Sequence, residues 1–357
     1  MSAAARAAGW VWRGTGPLPA LARAALLPWS ALYQAGAAAR NLAYDAGWRR
    51  THPLPLPAVG LGNLTVGGTG KTPFAMHVCR LLAERKVRPG VVLRGYGGDE
   101  ARELAEALPD VVVKAGADRV AAAEAARSAG AQVLVLDDCL QHRRVRPDVM
   151  LALVAAETWH GNQWPLPAGP WREGPAALER ADAVVVTART AGITEAAALA
   201  EALSRRTRGG TAIVARVAPV AFRPLAGGEA RGPDLIAGRA VLAAVGIGEP
   251  SLFAAQLEHL GARVEWIDYG DHHAYRAADA LQAANWAGPD GLVVTTAKDA
   301  VKLRALWPAD GPPCWVAEAR VTIEAGADGL AALLDRVATA ARANHPGAAA
   351  APPARAI

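Results

Sequence analysis

The stretch Gly60-Leu61-Gly62-Asn63-Leu64-Thr65-Val66-Gly67-Gly68-Thr69-Gly70-Lys71-Thr72-Pro73 decides how the chain is read. An apolar run, Ala58 to Leu61, enters it, and a helical pattern beginning near Thr72 leaves it. Strand, glycine loop and helix in that order are the context in which a terminal Gly-Lys-Thr signals a phosphate-binding loop. Glycines let backbone N–H groups turn toward one point, and the helix N-terminus adds the positive end of its dipole. Thr65, Gly67, Gly68, Thr69, Gly70, Lys71 and Thr72 are therefore the expected nucleotide contacts. Lys71 is expected to reach the β- and γ-phosphates and the Thr72 hydroxyl to ligate Mg²⁺. The strict pattern G-x-x-x-x-G-K-[ST] is not met, because Thr65 stands where the first glycine belongs; Gly67 and Gly68 supply the same freedom later in the loop. The competing reading is an ordinary glycine turn before a helix.

Working outward, 357 residues suffice for a large core and suggest two domains or one elaborated one. The formal net charge of +5 has a location. Residues 1–50 carry Arg6, Arg13, Arg23, Arg40, Arg49 and Arg50 against Asp45, six minus one, and the rest of the chain is balanced. That pattern describes a basic N-terminal arm and argues against a nucleic-acid binder. Cys79, Cys139 and Cys314 lie far apart with no C-x-x-C spacing, which fits a reducing cytoplasm and neither a disulfide framework nor a zinc site.

The uncharged stretch Ala24 to Ala39 is interrupted by Pro28 and is shorter than the roughly 20 residues needed to span a bilayer. Leu26, Trp29, Leu32, Tyr33 and Gly36 recur at three- and four-residue steps between Arg23 and Arg40. Such a face suits a membrane interface or a helix packed on the domain's own core. From Ala58 to about Pro219, apolar runs alternate with helical stretches, the signature of a parallel sheet covered on both faces. The loops after Leu61, Leu93 and Leu136 should share the rim at the strands' carboxyl ends. A second, smaller α/β set follows Arg239, with a hinge near Gly227-Gly228. The expected divisions are 1–57 (an amphipathic membrane-association segment), 58–225 (a P-loop kinase-type domain), 226–341 (a smaller α/β domain closing the cleft) and 342–357 (a disordered tail).

Leu134-Val135-Leu136-Asp137-Asp138 is an apolar strand ending in two carboxylates, where a Mg²⁺-holding aspartate is expected beside a phosphate loop. Asp138 or Asp137 would bind the ion directly or through water. His142 and two arginines follow on the same rim. Beyond Leu93, Asp99 either takes a proton from an acceptor hydroxyl or merely opens a helix with an acidic first turn. Leu166-Pro167-Ala168-Gly169-Pro170 leads into Arg172 and Glu173. Asp271-His272-His273 ends a second-domain strand without a third ligand at zinc spacing, so acid–base work or phosphate contact across a cleft fits it better than metal. Lys298 ends another strand and can be presented to an anion.

Taken in series, these pieces resemble the tetraacyldisaccharide 4'-kinase family, the lipid A kinases of Gram-negative bacteria. The matching motifs are Gly62 to Pro73, Arg94-Gly95-Tyr96-Gly97-Gly98, Gly98-Asp99-Glu100 and Ala117-Asp118-Arg119-Val120. Asp137-Asp138 with Gln141-His142-Arg143-Arg144, Leu166 to Pro170 with Arg172-Glu173, Gly246-Ile247-Gly248, Asp271-His272-His273 and Lys298 to Lys302 complete the series. The resemblance implies ATP- and Mg²⁺-dependent phosphorylation of the 4'-hydroxyl of a lipid A disaccharide 1-phosphate precursor. It also implies a protein bound peripherally to the cytoplasmic face of the inner membrane through its N-terminal helix. Asp99 is then the base, assisted by His272 or His273 with His272 the first choice; Arg119, His142 and Glu173 match further active-site positions. The chain departs from the family at Cys139 and Leu140 (usually Gly and Phe), and the segment between Gly97 and Asp99 is short. A monomer is expected. Two other classes compete: a nucleotide-switched NTPase, for which Asp99, His272 and Glu173 would be superfluous, and a lipid-binding protein without kinase activity.

Overall fold

The structure, a computed structural model, describes residues 3–95, 99–288 and 291–344. Tyr96, Gly97 and Gly98 of the glycine-rich motif, the side chain of Asp99 and residues 345–357 of the expected tail lie outside the described residues.

Two helices, α1 (Ala3–Arg13) and α2 (Pro17–Asp45), precede β1 (Ala58–Asn63), α3 (Lys71–Glu84), β2 (Pro89–Leu93), α4 (Asp99–Ala107) and β3 (Val112–Ala115). The chain continues through α5 (Arg119–Ser128), β4 (Val133–Leu136), β5 (Val149–Ala155), α6 (Ala156–Trp159), β6 (Ala183–Ala188) and α7 (Ile193–Ser204). Then follow β7 (Thr211–Pro224), β8 (Ala240–Val245), α8 (Pro250–His259), β9 (Arg263–Asp268) and α9 (Ala277–Ala287). The last elements are β10 (Val293–Thr296), α10 (Ala297–Leu303), β11 (Cys314–Ala325) and α11 (Ala327–Ala343). Between α6 and β6 the chain makes a 3₁₀ turn over Pro175–Arg180.

Among the described residues the strands form one 11-stranded sheet in the order β3-β2-β4-β1-β5-β6-β7-β11-β10-β8-β9. Every pairing is parallel except that of β7 with β11. β1, β2, β4, β5 and β6 are buried on both faces, which is why they read as continuous apolar runs rather than alternating ones, while the edge strand β3 is only partly covered. One core layer packs Phe74, Val78 and Leu82 of α3, with Leu330, Leu334 and Val337 of α11, against Leu61, Leu151 and Val185. The opposite layer uses Ala122, Ala126, Leu140, Leu178 and Leu203 against Leu134, Leu136 and Val184.

The register of β7 and β11 fixes how the two halves meet. β7 pairs with β6 only over Thr211–Arg216 and then runs on past the carboxyl ends of the first-half strands. Its last residues, Phe222, Arg223 and Pro224, pair with the start of β11, where β10 also pairs. Because β11 runs back toward the first half, β8, β9 and β10 point the same way. The carboxyl ends of the second-half strands therefore face those of the first half. Ligands on parallel sheets sit at carboxyl ends, and here two such rims oppose each other.

At the N-terminus α2 runs unbroken through Pro28, where the sequence suggests an interruption. Pro28 and Ala24 are both exposed, so the carbonyl that loses its partner is solvated rather than stranded in a core. Ser30 is buried and ties α2 to the body, accepting from the Ala168 N–H (3.1 Å) and donating to the Pro165 carbonyl (2.9 Å). Trp29 (62% exposed), Leu32 (64%) and Tyr33 turn outward, as do Leu18, Leu21 and Leu42. Among the described residues no helix is long and apolar enough to cross a membrane.

Candidate active site

Gly70 caps α3 in the left-handed region (φ 73°) and Gly67 precedes it at φ 122°, conformations that side chains disfavour. They let the chain leave β1, fold over the sheet edge and enter α3 at Lys71. Gly62 at the end of β1 has its own constraint: an added Cβ would overlap Leu140. The two aspartates and the glycine loop are thereby pressed together, with the loop running from β1 and the carboxylates from the neighbouring β4.

Lys71 Nζ donates to Asn63 Oδ1 (2.9 Å) and lies 3.7 Å from Asp138 Oδ1. Asn63 itself is fully buried; its amide donates to the Thr65 carbonyl (2.7 Å), and its own carbonyl accepts from Gln141 (2.9 Å). Arg172 Nη1 donates to both carboxylate oxygens of Asp138, at 2.6 and 2.8 Å. Arg172 reaches that point because residues 164–172 are strapped to the glycine loop. Val66 N–H donates to the Pro170 carbonyl (2.7 Å), and Arg172 N–H donates to the Leu64 carbonyl (2.7 Å).

The two neighbouring aspartates are charged differently. Burial pushes the Asp138 carboxyl up, but Lys71 and Arg172 outweigh it and hold it below the ordinary carboxylate range. Burial raises the Asp137 carboxyl, with Lys71 only partly opposing, and its Oδ1 has no hydrogen-bond partner among the described residues. Asp138 also holds a left-handed backbone (φ 52°), which for a non-glycine residue costs roughly 1–2 kcal/mol. The buried Arg119 donates to the Asp137 carbonyl (2.9 Å) and so fixes the turn after β4. His142 is driven below the usual imidazole range by burial first and by Arg119, Arg94 and Arg144 after it.

Glu173 faces away from Asp138. Its buried carboxylate accepts from Arg180 (2.6 Å), from Asn41 (3.0 Å) and from Arg40 (3.1 Å), so it joins α2 to the body. Arg40 and Arg23, which looked like a basic flank, are thus partly spent inside: Arg23 donates to the carbonyls of Val11 and Gly14. A cavity of about 440 Å³ opens beside this joint, between α2 and the 3₁₀ turn, with Gln34, Asn41, Glu173 and Arg180 in its wall.

On the second rim, Asp271 accepts from Lys298 Nζ (2.7 Å), which lies 3.3 Å from His272 Nε2. His272 too has a left-handed backbone (φ 55°). His273 turns the other way; its Nε2 is 2.9 Å from Asp279, and its ring stacks on Tyr269 and meets the edge of Tyr275. The pair thus separates into one histidine beside a Lys–Asp couple and one built into the fold. The backbone of Asp99 opens α4, as the acidic-first-turn reading expects. α4 packs against α10, which begins beside Lys298, and Arg304 bonds Glu106 across that contact (3.0 Å).

Sequence reasoning missed Asn63, Gln141, Arg189 and Glu249. Asn63 and Gln141 lie inside quoted motifs, but nothing in their spacing says that they would orient Lys71. Arg189 and Glu249 carry no motif at all, yet they bridge the glycine loop to the second rim.

The family model for LpxK, described as tetraacyldisaccharide-1-P 4'-kinase, matches residues 22–103 and 97–339. A tetraacyldisaccharide 4'-kinase of Anaeromyxobacter dehalogenans is 37% identical over 352 residues, covering 91% of this chain and 93% of that protein. One of Aromatoleum aromaticum is 38% identical over 327 residues, covering 86% and 92%. The crystal structure of LpxK from Aquifex aeolicus in complex with ATP superposes with a TM-score of 0.67 at 27% identity, covering 88% of this chain and 99% of that one. With its phosphate loop, its paired aspartates and its facing rims in one continuous α/β sheet, the chain belongs to the tetraacyldisaccharide-1-P 4'-kinase family.

Proposed function

We propose that the chain transfers the γ-phosphoryl group of ATP to the 4'-hydroxyl of a tetraacyldisaccharide 1-phosphate, an intermediate of lipid A biosynthesis. The observation that carries this reading is the cluster of Lys71, Asp138 and Arg172 at the foot of a glycine loop that faces a second rim bearing His272. A simple hydrolytic switch has no need of that second rim.

The N–H groups of residues 67–72 and the start of α3 receive the phosphates. Lys71 exchanges Asn63 for the β- and γ-phosphates, and Arg172 turns from Asp138 toward the charge that develops on the transferred group. The acceptor oxygen attacks the γ-phosphorus, the bond to the bridging oxygen breaks, and ADP leaves. The proton of the 4'-hydroxyl passes to Asp99, with His272 assisting; Lys298 and Asp271 hold that imidazole in place. Thr72, Asp137 and Asp138 would hold Mg²⁺. The donor set fits, because a hard cation that keeps several waters needs only one or two carboxylates, and Asp137 offers a buried oxygen without a partner among the described residues. When bound, the ion neutralises charge on the β- and γ-oxygens. Closing the rims excludes water and aligns the acceptor.

The outward face of α2, with Trp29, Leu32, Tyr33, Leu18 and Leu21, supports peripheral attachment to the cytoplasmic face of the inner membrane. The chain would act there as a monomer, one copy supplying both rims. The test is to incubate the protein with γ-labelled ATP, Mg²⁺ and detergent-dispersed disaccharide 1-phosphate. Label on the 4'-oxygen is expected. Label released as inorganic phosphate would mark an NTPase switch, and label left on ATP a lipid-binding protein.

A further inference from the structure

A cation outside the Lys71 cluster grips the glycine loop. Arg189 directly follows β6, and the turn that carries it is rigid: the Glu157 carboxylate accepts from the backbone N–H groups of Arg189, Thr190 (2.9 Å) and Ala191 (3.1 Å). Arg189 Nη2 donates to the Gly68 carbonyl and also to Glu249 Oε2 at 2.8 Å. Both side chains are largely buried, 13% and 11% exposed. Glu249 belongs to the second half of the sheet, immediately before α8 and next to Gly248. A Cβ added at Gly68 would lie 3.5 Å from Arg189 Nη1 and 3.7 Å from Glu249 Oε2, so the carboxylate stands against the loop itself. One residue along, Thr187 Oγ1 holds the Thr69 carbonyl (3.1 Å).

A phosphate loop works through its N–H groups, and a carbonyl turned inward would repel the phosphates. In a planar trans peptide the carbonyl and the following N–H point opposite ways, so gripping one fixes the other. The peptide held in this way joins Gly68 to Thr69, whose N–H donates to the Gly67 carbonyl (3.0 Å); glycine at 68 makes its rotation sterically cheap, and something outside the loop must select one orientation. Glu249 raises a second difficulty. An unpaired carboxylate this close to a triphosphate seat, in a partly buried setting, is strongly repulsive.

We propose that Arg189 is a positioning residue for the nucleotide: it pins the Gly68 carbonyl outward and neutralises Glu249, the carboxylate that the second half of the sheet brings against the phosphate loop. The proposal rests on the kinase reading and adds a specific electrostatic dependence to it. Most of the damage from losing Arg189 comes from the Glu249 charge it leaves bare. Removing that charge as well restores nucleotide binding. A merely structural salt bridge would behave oppositely, the second substitution adding to the first or leaving it unchanged.

The test is calorimetric titration of the full chain with ATPγS and Mg²⁺. Arg189→Ala is expected to weaken binding at least tenfold, Arg189→Ala/Glu249→Gln to return within threefold of wild type, and Glu249→Gln alone to stay within threefold. A loss below tenfold in Arg189→Ala, or a double variant no tighter than Arg189→Ala, overturns the proposal. If Arg189→Ala does not fold, Arg189→Gln keeps the bulk and is held to the same limits. Wild type that takes no nucleotide would sink the kinase reading itself; wild type that binds while the variants bind equally well sinks only the role of Arg189.

Discussion

Arg172 and Asp138, 34 residues apart, are joined through a single guanidinium nitrogen that reaches both carboxylate oxygens, at 2.6 and 2.8 Å. Lys71 lies 3.7 Å from the same carboxylate, so one anion faces two cations, and in the proposed reaction phosphate takes its place. Arg172→Ala should lower kcat/KM for ATP by about 10²-fold, the usual loss on removing one oriented donor. Arg172→Lys should recover only part of it, because an ammonium lacks the planar fork. Steady-state kinetics with the lipid acceptor would check both.

The same pair has a pH signature. Asp138 titrates below its unfolded value of about 3.9, so its ion pairs stabilise the fold fully above that pH. The contribution is lost as pH falls through the lowered folded value. Thermal melts between pH 5 and pH 2 should show a steeper acid loss for wild type than for Asp138→Asn.

Asp137 runs in the opposite sense. Its carboxyl is raised by burial, so its contribution is present below about pH 3.9 and is lost as pH rises through the higher folded value. Above the unfolded value the buried carboxyl is a standing cost to the fold. Asp137→Asn should therefore be more stable than wild type at pH 7, by about 1 kcal/mol, and less active. The gain should vanish near pH 3. A variant that lost stability at pH 7 would show that the carboxylate earns its place structurally.

Lys71→Ala should abolish transfer while leaving the fold intact, because Lys71 only begins α3 and Phe74, not Lys71, enters the core. Asp99→Ala should cut turnover with little change in ATP affinity. Unaltered turnover would remove Asp99 from the reaction, and near-wild-type activity in Lys71→Ala would remove the loop.

Trp29→Ser with Leu32→Ser should weaken binding to anionic vesicles by tenfold or more while the melting temperature and ATPγS affinity hold steady, since both side chains are mainly exposed. Co-sedimentation reads the first effect and calorimetry the second. Equal vesicle binding would move attachment to another surface.

Much of this protein is written locally in its sequence. The phosphate loop was legible because a strand, three glycines within four residues and Gly-Lys-Thr must be consecutive to work. The buried strands announced themselves as unbroken apolar runs, and Asp137-Asp138 could be placed at a rim because they end one. Those are short-range requirements, and spacing records them. What only the tertiary structure decided are the meetings of distant residues: β7 with β11, which joins two parallel sets into one sheet and turns their rims face to face; Arg172 with Asp138; His272 with Lys298 while His273 turns away; Arg189 with Glu249. A charge or a strand edge can pair with any complementary partner that the chain brings near, and primary structure carries no local mark of which one arrives. Packing of the surrounding core makes that choice.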